Sequence, residues 1–233
     1  TAQQQTVARS QNTASVEQLS RQAYSLAQSA KSLDELTESL RACGQAMNMS
    51  PTPEQKNYIQ KLAGWIYNKR GEALVKLAEQ TAATDKERSA QYETAAAKDF
   101  DLSVKFDSGR WKSRFNRSVS KAMTGEYTTA LEDLDFVVTQ QPDHKNARFN
   151  RAEILLQVGK YETAIEDYAQ VLKLDPQDSA AYAGRGIALA AIGRSDEAMA
   201  DLNTVVRLDP KSSTAYIDRA DLYTALGDWK RAA

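Results

Sequence analysis

Apolar and polar positions recur with helical spacing in residues 149–176, on both sides of one glycine. After Gly159, the apolar residues follow an i, i+1, i+4, i+7, i+8 pattern, which is typical of a helix with one buried face. Gly159 suits the end of the first helix because glycine tolerates a positive φ. Asp175-Pro176 suits the end of the second, because proline lacks an amide hydrogen and disfavours helix in the residue before it. The stretch therefore predicts two helices joined by a tight turn.

The same pattern returns every 34 residues. The residues that mark it are Pro142, Pro176 and Pro210; Gly125, Gly159, Gly193 and Gly227; and Ala130, Ala164, Ala198 and Ala232. Glycine and proline are sparse and few runs alternate with a period of two, so the chain is predicted to be all-α. A period of this length predicts a row of about five or six stacked helical hairpins.

The turn sequences GEYTTAL, GKYETAI, GRSDEAM and GDWKRAA resemble those of the tetratricopeptide repeat. The resemblance covers residues 111–233 and implies a right-handed α-solenoid, in which the first helix of each repeat faces the concave side. Ser195 stands where the other turns have an aromatic residue. We expect this change to loosen the packing locally without altering the fold.

Upstream of residue 111 the 34-residue period is interrupted. The whole chain can be divided into segments by its pattern of apolar and polar residues. The predicted segments are a flexible leader (1–14), a degenerate helical pair (15–50), an extended hairpin (51–110), three repeats (111–144, 145–178 and 179–212) and an incomplete repeat (213–233). Ser32 and Asp34 are start signals for the second helix of the degenerate pair, and residues 48–55 are the predicted linker after it. The extended hairpin is a repeat lengthened by 13 residues near 77–91, which favour two longer helices over a loop because they are rich in Ala, Glu, Lys and Gln. The incomplete last repeat predicts that further repeats follow or that its apolar face pairs with another copy.

Arginine and aspartate residues follow the repeat in matched pairs. Arg151 lies eight residues before Gly159 and Asp167 eight residues after it, so an antiparallel hairpin places both at the same height. The same spacing relates Arg117 to Asp133 and Arg185 to Asp201. We interpret these pairs as structural ion pairs; the alternative is a row of arginines that binds acidic groups.

The resemblance also implies a candidate peptide-binding groove on the predicted concave face. Its residues are Trp65 and Asn68 with Glu72; Lys112, Phe115, Asn116 and Val119; Phe149, Asn150 and Glu153; and Ile187, followed by Asp218 and Asp221. An asparagine can bond the backbone of an extended peptide because its side chain both donates and accepts, and aromatic side chains supply anchoring area. The alternative is that Phe115 and Phe149 only pack against neighbouring helices. Some members of the family bind a partner's C-terminal carboxylate through basic residues, but Ala180 and Gly184 occupy those places here, so an acidic chaperone tail is not expected.

Composition and candidate chemistry argue against several function classes. With 30 basic and 31 acidic residues, the net charge of −1 gives no reason to expect nucleic acid as a partner. Cys43 and His144 are the only cysteine and histidine, so no disulfide, zinc site or other metal site is predicted, and no cofactor. Cys43 lies on an apolar stripe and His144 in an inter-repeat loop, where we expect a buried thiol and a solvated imidazole.

The sequence thus favours a non-catalytic scaffold that binds a peptide or helix of a partner protein. A self-assembly module and the regulatory arm of a larger enzyme are the alternatives. A polar segment that begins at Thr1 without methionine fits a removed export signal in a bacterium or a trimmed chain, so we lean towards export and leave the cytoplasm open.

Overall fold

A computed structural model describes the backbone of residues 2–211 and 213–225, and the side chains of residues 15–211 and 213–224. Eleven helices occupy this part of the chain. They are α1 (Ala2–Ser29), α2 (Leu33–Asn48), α3 (Pro53–Thr81), α4 (Lys86–Phe106), α5 (Trp111–Met123), α6 (Tyr127–Gln140), α7 (Lys145–Gln157), α8 (Tyr161–Leu174), α9 (Ser179–Ala191), α10 (Ser195–Leu208) and α11 (Ser213–Ala225). Consecutive helices pack against each other from α1 to α4 and from α6 to α11, which confirms the all-α helical repeat array. The predicted turn at 227–233 lies outside the described residues.

The chain divides into two compact units, which are described separately. Unit 1 comprises residues 1–121 and unit 2 comprises residues 122–233.

The turns of unit 2 are made by glycines with positive φ. Gly125, Gly159 and Gly193 have φ values of 78°, 77° and 79°. Residues with a Cβ rarely adopt this conformation, so the 34-residue spacing of these glycines fixes where each first helix ends.

Two capping boxes set the helix boundaries of unit 1. Ser32 accepts a hydrogen bond from the amide of Glu35, whose side chain bonds back to the Ser32 amide. Thr52 and Gln55 repeat this arrangement at the start of α3. Such reciprocal bonds satisfy amides that have no partner within the helix. Ser32 therefore begins α2 as predicted, whereas the linker is shorter than predicted, because α3 already begins at Pro53.

The extended hairpin is helical on both sides. Helices α3 and α4 contain 29 and 21 residues, whereas the helices of unit 2 contain 13 or 14. Four residues, 82–85, join them, and Asp85 caps α4 by accepting from the Arg88 amide. The loop alternative for the insertion is therefore wrong. Helix α1 likewise runs through the segment predicted as a leader, since it begins at Ala2.

Each unit has its own apolar core. In unit 1, Leu36, Cys43 and Ile66 are buried in one cluster with Leu40 packed against it, whereas Leu33 packs against a second cluster around Phe100. In unit 2, Tyr168 is completely buried between α7, α8 and α9. None of the described helices has a stretch apolar and long enough to cross a membrane.

Candidate protein-binding face

Arginine and aspartate side chains of the same hairpin form bidentate ion pairs in both units. Arg151 donates from Nε and Nη2 to the two carboxylate oxygens of Asp167, at 2.6 and 2.7 Å. Arg70 does the same to Asp99, at 2.7 and 2.8 Å. The aspartates are buried, and hydrogen bonding to them raises the pKa of each arginine. These arginines are occupied by structural contacts and do not present a row of free guanidinium groups.

Arg185 forms the third such pair, with Asp201, at 2.7 and 2.8 Å. Hydrogen bonding to Asp201 likewise raises the pKa of Arg185. Arg117 lies in unit 1, where its Nη1 is 3.8 Å from the Asp101 carboxylate. Asp133 is buried in unit 2, so the pairing of Arg117 with Asp133 stays a prediction.

The Arg151 pair is part of a larger network. Arg148 also donates to Asp167, at 3.1 Å, and Arg151 reaches Asp135 of α6 at 2.8 Å. Asp201 has no such second guanidinium within the described residues. The two repeats therefore use the same pair in different surroundings.

In unit 1, the predicted groove amides bond to each other. The Asn116 amide nitrogen donates to Asn68 and to Glu72, both at 3.0 Å. Asn68 donates to Glu72 at 2.8 Å and is only 3% exposed. The Asn68 amide is therefore buried in this cluster, and its contribution to a groove stays a prediction.

Trp65 is also engaged within unit 1. Its ring stacks on Tyr24 of α1 with a centroid distance of 5.4 Å, and the Lys69 ammonium lies 5.3 Å from the ring. Further along, Lys112 and Val119 of α5 are exposed, and Phe115 between them is half-buried. Trp65 thus contributes to packing between α1 and α3, whereas α5 presents the accessible part of the predicted face.

In unit 2, Phe149 and Glu153 are organised by Tyr168. The Phe149 ring meets the Tyr168 ring edge-on, with centroids 6.0 Å apart, and packs on the core. The Tyr168 hydroxyl donates a hydrogen bond to the exposed carboxylate of Glu153. Burial and this bond raise the pKa of Tyr168, so the hydroxyl stays a donor. Tyr168 therefore fixes the position of a carboxylate on the predicted groove face.

Asn150 differs from Asn116, although the two residues occupy the same repeat position. The Asn150 side chain is half-buried and makes no hydrogen bond within the described residues. One helical turn places it beside Glu153, and Phe149 precedes it. An accessible amide with both donor and acceptor capacity is what binding to a peptide backbone requires.

A pocket of about 510 Å³ opens between α9, α10 and α11. Its apolar wall is formed by Ile187, Leu202 and Leu222, and its polar lining includes Asp218 and Asp221. Ile187 is 42% exposed. The sequence analysis included Ile187 and the two aspartates in the groove but did not predict a pocket. The sequence feature that could have indicated the pocket is Ser195, which also lines it.

The remaining candidate groups are structural. His144 caps α7, since its Nδ1 accepts a hydrogen bond from the Ala147 amide at 3.1 Å. The residue is half-buried, so the predicted solvation of its imidazole stays a prediction. Cys43 is 3% exposed, and burial raises the pKa of its thiol to about 12. No group of three or more His, Cys, Asp or Glu side chains in the described part of the chain could bind a metal ion.

These features define a helical repeat protein in which the first helix of a repeat, such as α5, α7 or α9, carries accessible side chains. Residues 122–179, 155–213 and 184–233 match the tetratricopeptide repeat family model. The chain is therefore a repeat protein whose residues 122–233 are tetratricopeptide repeats.

Solved structures share the fold. MamA from Desulfovibrio magneticus RS-1 matches with a TM-score of 0.60 and 17% identity, over 70% of this chain and 88% of that one. MamA of AMB-1 matches with a TM-score of 0.60 and 19% identity, over 73% and 93% of the two chains. YrrB, described as a TPR protein with an unusual peptide-binding site, matches with a TM-score of 0.55 and 16% identity, over 68% and 79%. No curated protein sequence matches the chain.

Proposed function

We propose that the chain is a non-catalytic scaffold that binds a segment of a partner protein along the first helices of its repeats. Tetratricopeptide repeats generally mediate protein–protein interactions. YrrB, which shares the fold, is described as having a peptide-binding site. The observation that carries the proposal for this chain is the half-buried side-chain amide of Asn150, which makes no hydrogen bond within the described residues and lies beside Phe149 and Glu153.

The amide is suited to an extended backbone. A peptide strand offers alternating carbonyl and amide groups, and the Asn150 side chain can bond to one of each without reading the sequence. Phe149 then provides an aromatic surface next to it, and the fixed Glu153 carboxylate adds a charge. Specificity therefore comes from the neighbours of Asn150, and the amide itself provides backbone affinity.

The test compares partners retained by wild type and by a Phe149→Leu/Asn150→Ala variant in a quantitative affinity purification. The matched control is Phe136→Leu/Asn203→Ala, which makes the same two changes on α6 and α10 of the same unit. We expect the first variant to lose most of its partners and the control to retain them, with both melting cooperatively. Equal retention by all three proteins would refute the proposal.

The two alternatives give different results in the same experiment. A self-assembly module would retain mainly untagged copies of the chain, and its mass in light scattering would rise with concentration. The regulatory arm of an enzyme would retain one catalytic protein or be encoded together with a catalytic domain.

A further inference from the structure

The pocket between α9, α10 and α11 lies at the one turn, among the glycine turns at 125, 159 and 193, that is not followed by an aromatic residue. Tyr127 and Tyr161 begin the second helices of the two preceding repeats, and Ser195 begins α10 at the equivalent position. Ser195 lines the pocket together with Leu202. The serine side chain is much smaller than the tyrosine ring that stands at the two preceding turns. At about 510 Å³, the pocket falls within the range of about 300–1,000 Å³ that is common for ligand sites.

The pocket also contains two carboxylates without a cation. Asp218 and Asp221, at i and i+3 of α11, form no ion pair and accept no hydrogen bond within the described residues. Partial burial, and secondly the charge of Asp221, raise the pKa of Asp218. The buried aspartates Asp167 and Asp201 of the same unit, by contrast, each bind an arginine.

The surrounding face has the same sign of charge. Its members are five positions on α7 and their equivalents on α9 and α11: Asn146, Phe149, Asn150, Glu153 and Leu156; Ala180, Ala183, Gly184, Ile187 and Ala190; Thr214, Ile217, Asp218, Asp221 and Thr224. Three of these are acidic and none is basic. A partner segment that carries basic residues complements this face, whereas an acidic segment would be repelled.

We propose that this pocket receives an aromatic or large aliphatic side chain of the partner, while Asp218 and Asp221 bind an adjacent lysine or arginine. The inference rests on the proposed function and specifies the chemistry of the partner. The apolar wall of Ile187, Leu202 and Leu222 supplies the anchoring contact, and the two carboxylates supply charge-assisted hydrogen bonds.

The test is a selection of phage-displayed random peptides on the immobilised full chain, read by sequencing. Wild type is compared with Ser195→Tyr, which restores the aromatic residue of the other turns and fills the pocket, and with Asp218→Asn/Asp221→Asn. The matched control is Glu162→Gln/Glu166→Gln, which removes two exposed carboxylates from α8 of the same unit. Thermal melts establish that each variant folds.

We expect wild type and the control to enrich peptides in which a basic residue adjoins an aromatic or large aliphatic one. Synthetic peptides from that set should bind both pocket variants about tenfold or more weakly, which corresponds to about 1.4 kcal/mol. Enrichment of peptides without this pair, no enrichment at all, or unchanged binding by the pocket variants would each overturn the inference. If purified partners depend on Phe149 and Asn150 but bind Ser195→Tyr normally, the proposed function stands and this inference alone fails.

Discussion

The ring of Tyr168 occupies the space that a side chain at Gly184 would need, so that α8 and α9 are in direct contact at this point. Tyr168 is fully buried, and its hydroxyl is bonded to Glu153, so the ring has little freedom to move away. We expect Gly184→Ala to lower the free energy of unfolding by about 1–2 kcal/mol, because overpacking outweighs the gain in helix propensity. Urea unfolding measures the change.

Gly44→Ala is the control for this substitution. Gly44 also lies inside a helix, but no heavy atom lies within 4 Å of the place where its Cβ would be. It should raise the free energy of unfolding by up to about 1 kcal/mol. Similar effects of the two substitutions would show that Tyr168 does not restrict position 184.

The two arginine–aspartate pairs of unit 2 differ in whether the aspartate has a second cationic partner. Arg185→Leu leaves the buried Asp201 without a cation among the described residues, whereas Arg151→Leu leaves Asp167 in contact with Arg148. We expect Arg185→Leu to cost about 3–5 kcal/mol of unfolding free energy and Arg151→Leu less, because only the first strands a charge. Chemical denaturation of both variants provides the comparison.

Replacement of both members of a pair gives the control. Because desolvation offsets most of the Coulomb attraction, Arg185→Leu/Asp201→Leu should be more stable than Arg185→Leu alone. If the two single effects simply add in the double variant, the direct pair contributes nothing to stability.

Asn116 and Asn150 should respond differently to the same substitution. Asn116→Ala removes hydrogen bonds to Asn68 and Glu72 and leaves the buried Asn68 with an unpaired oxygen, which should cost about 1–3 kcal/mol. Asn150→Ala removes no bond within the described residues, so its effect should stay within about 0.5 kcal/mol. Thermal or urea unfolding checks both, and equal losses would argue against an unbonded Asn150.

Asp218→Asn should stabilise the free chain in a pH-dependent way. Because burial and Asp221 raise the pKa of Asp218 in the folded state, its ionised form disfavours folding at neutral pH. The other residues that line the pocket, apart from these two aspartates, do not titrate. The asparagine variant should therefore be more stable than wild type at pH 7, and the gain should vanish well below the ordinary aspartate pKa of about 3.9, where both states are protonated. A gain that persists at low pH would assign the effect to packing.

The Cys43 thiol should react slowly in the folded chain. Burial raises its pKa from 9.0 to about 12, which lowers the thiolate fraction at pH 8, and only the thiolate is the nucleophile. Labelling with an aromatic disulfide reagent should be at least about 100-fold slower in buffer than in denaturant. Rapid labelling of the native protein would show that the apolar cluster around Leu36, Cys43 and Ile66 opens readily.

Much of the scaffold could be predicted from local patterns. The glycines at 125, 159 and 193 fix the turns because positive φ is a property of single residues. The Arg151–Asp167 and Arg185–Asp201 pairs followed from equal distances to those turns, since an antiparallel hairpin aligns such residues whatever surrounds it. The extended hairpin was predicted in the same way, from the helix-forming composition of its insertion.

The candidate site was less predictable, because it depends on contacts between residues far apart in the chain. Nothing in the local sequence distinguishes Asn116 from Asn150; the difference arises from Asn68 and Glu72, more than 40 residues earlier. Trp65 was likewise predicted to line the groove, but in the structure its ring stacks on Tyr24 of α1.

The sequence by itself determined the repeat, its period, its turns and its ion pairs, because each depends on spacing along one or two neighbouring helices. Only the tertiary structure decided which predicted groove residues are accessible, because accessibility depends on how separate hairpins pack. This packing buries Asn68, leaves the Asn150 side chain without a hydrogen bond among the described residues, and forms a pocket beside Ser195.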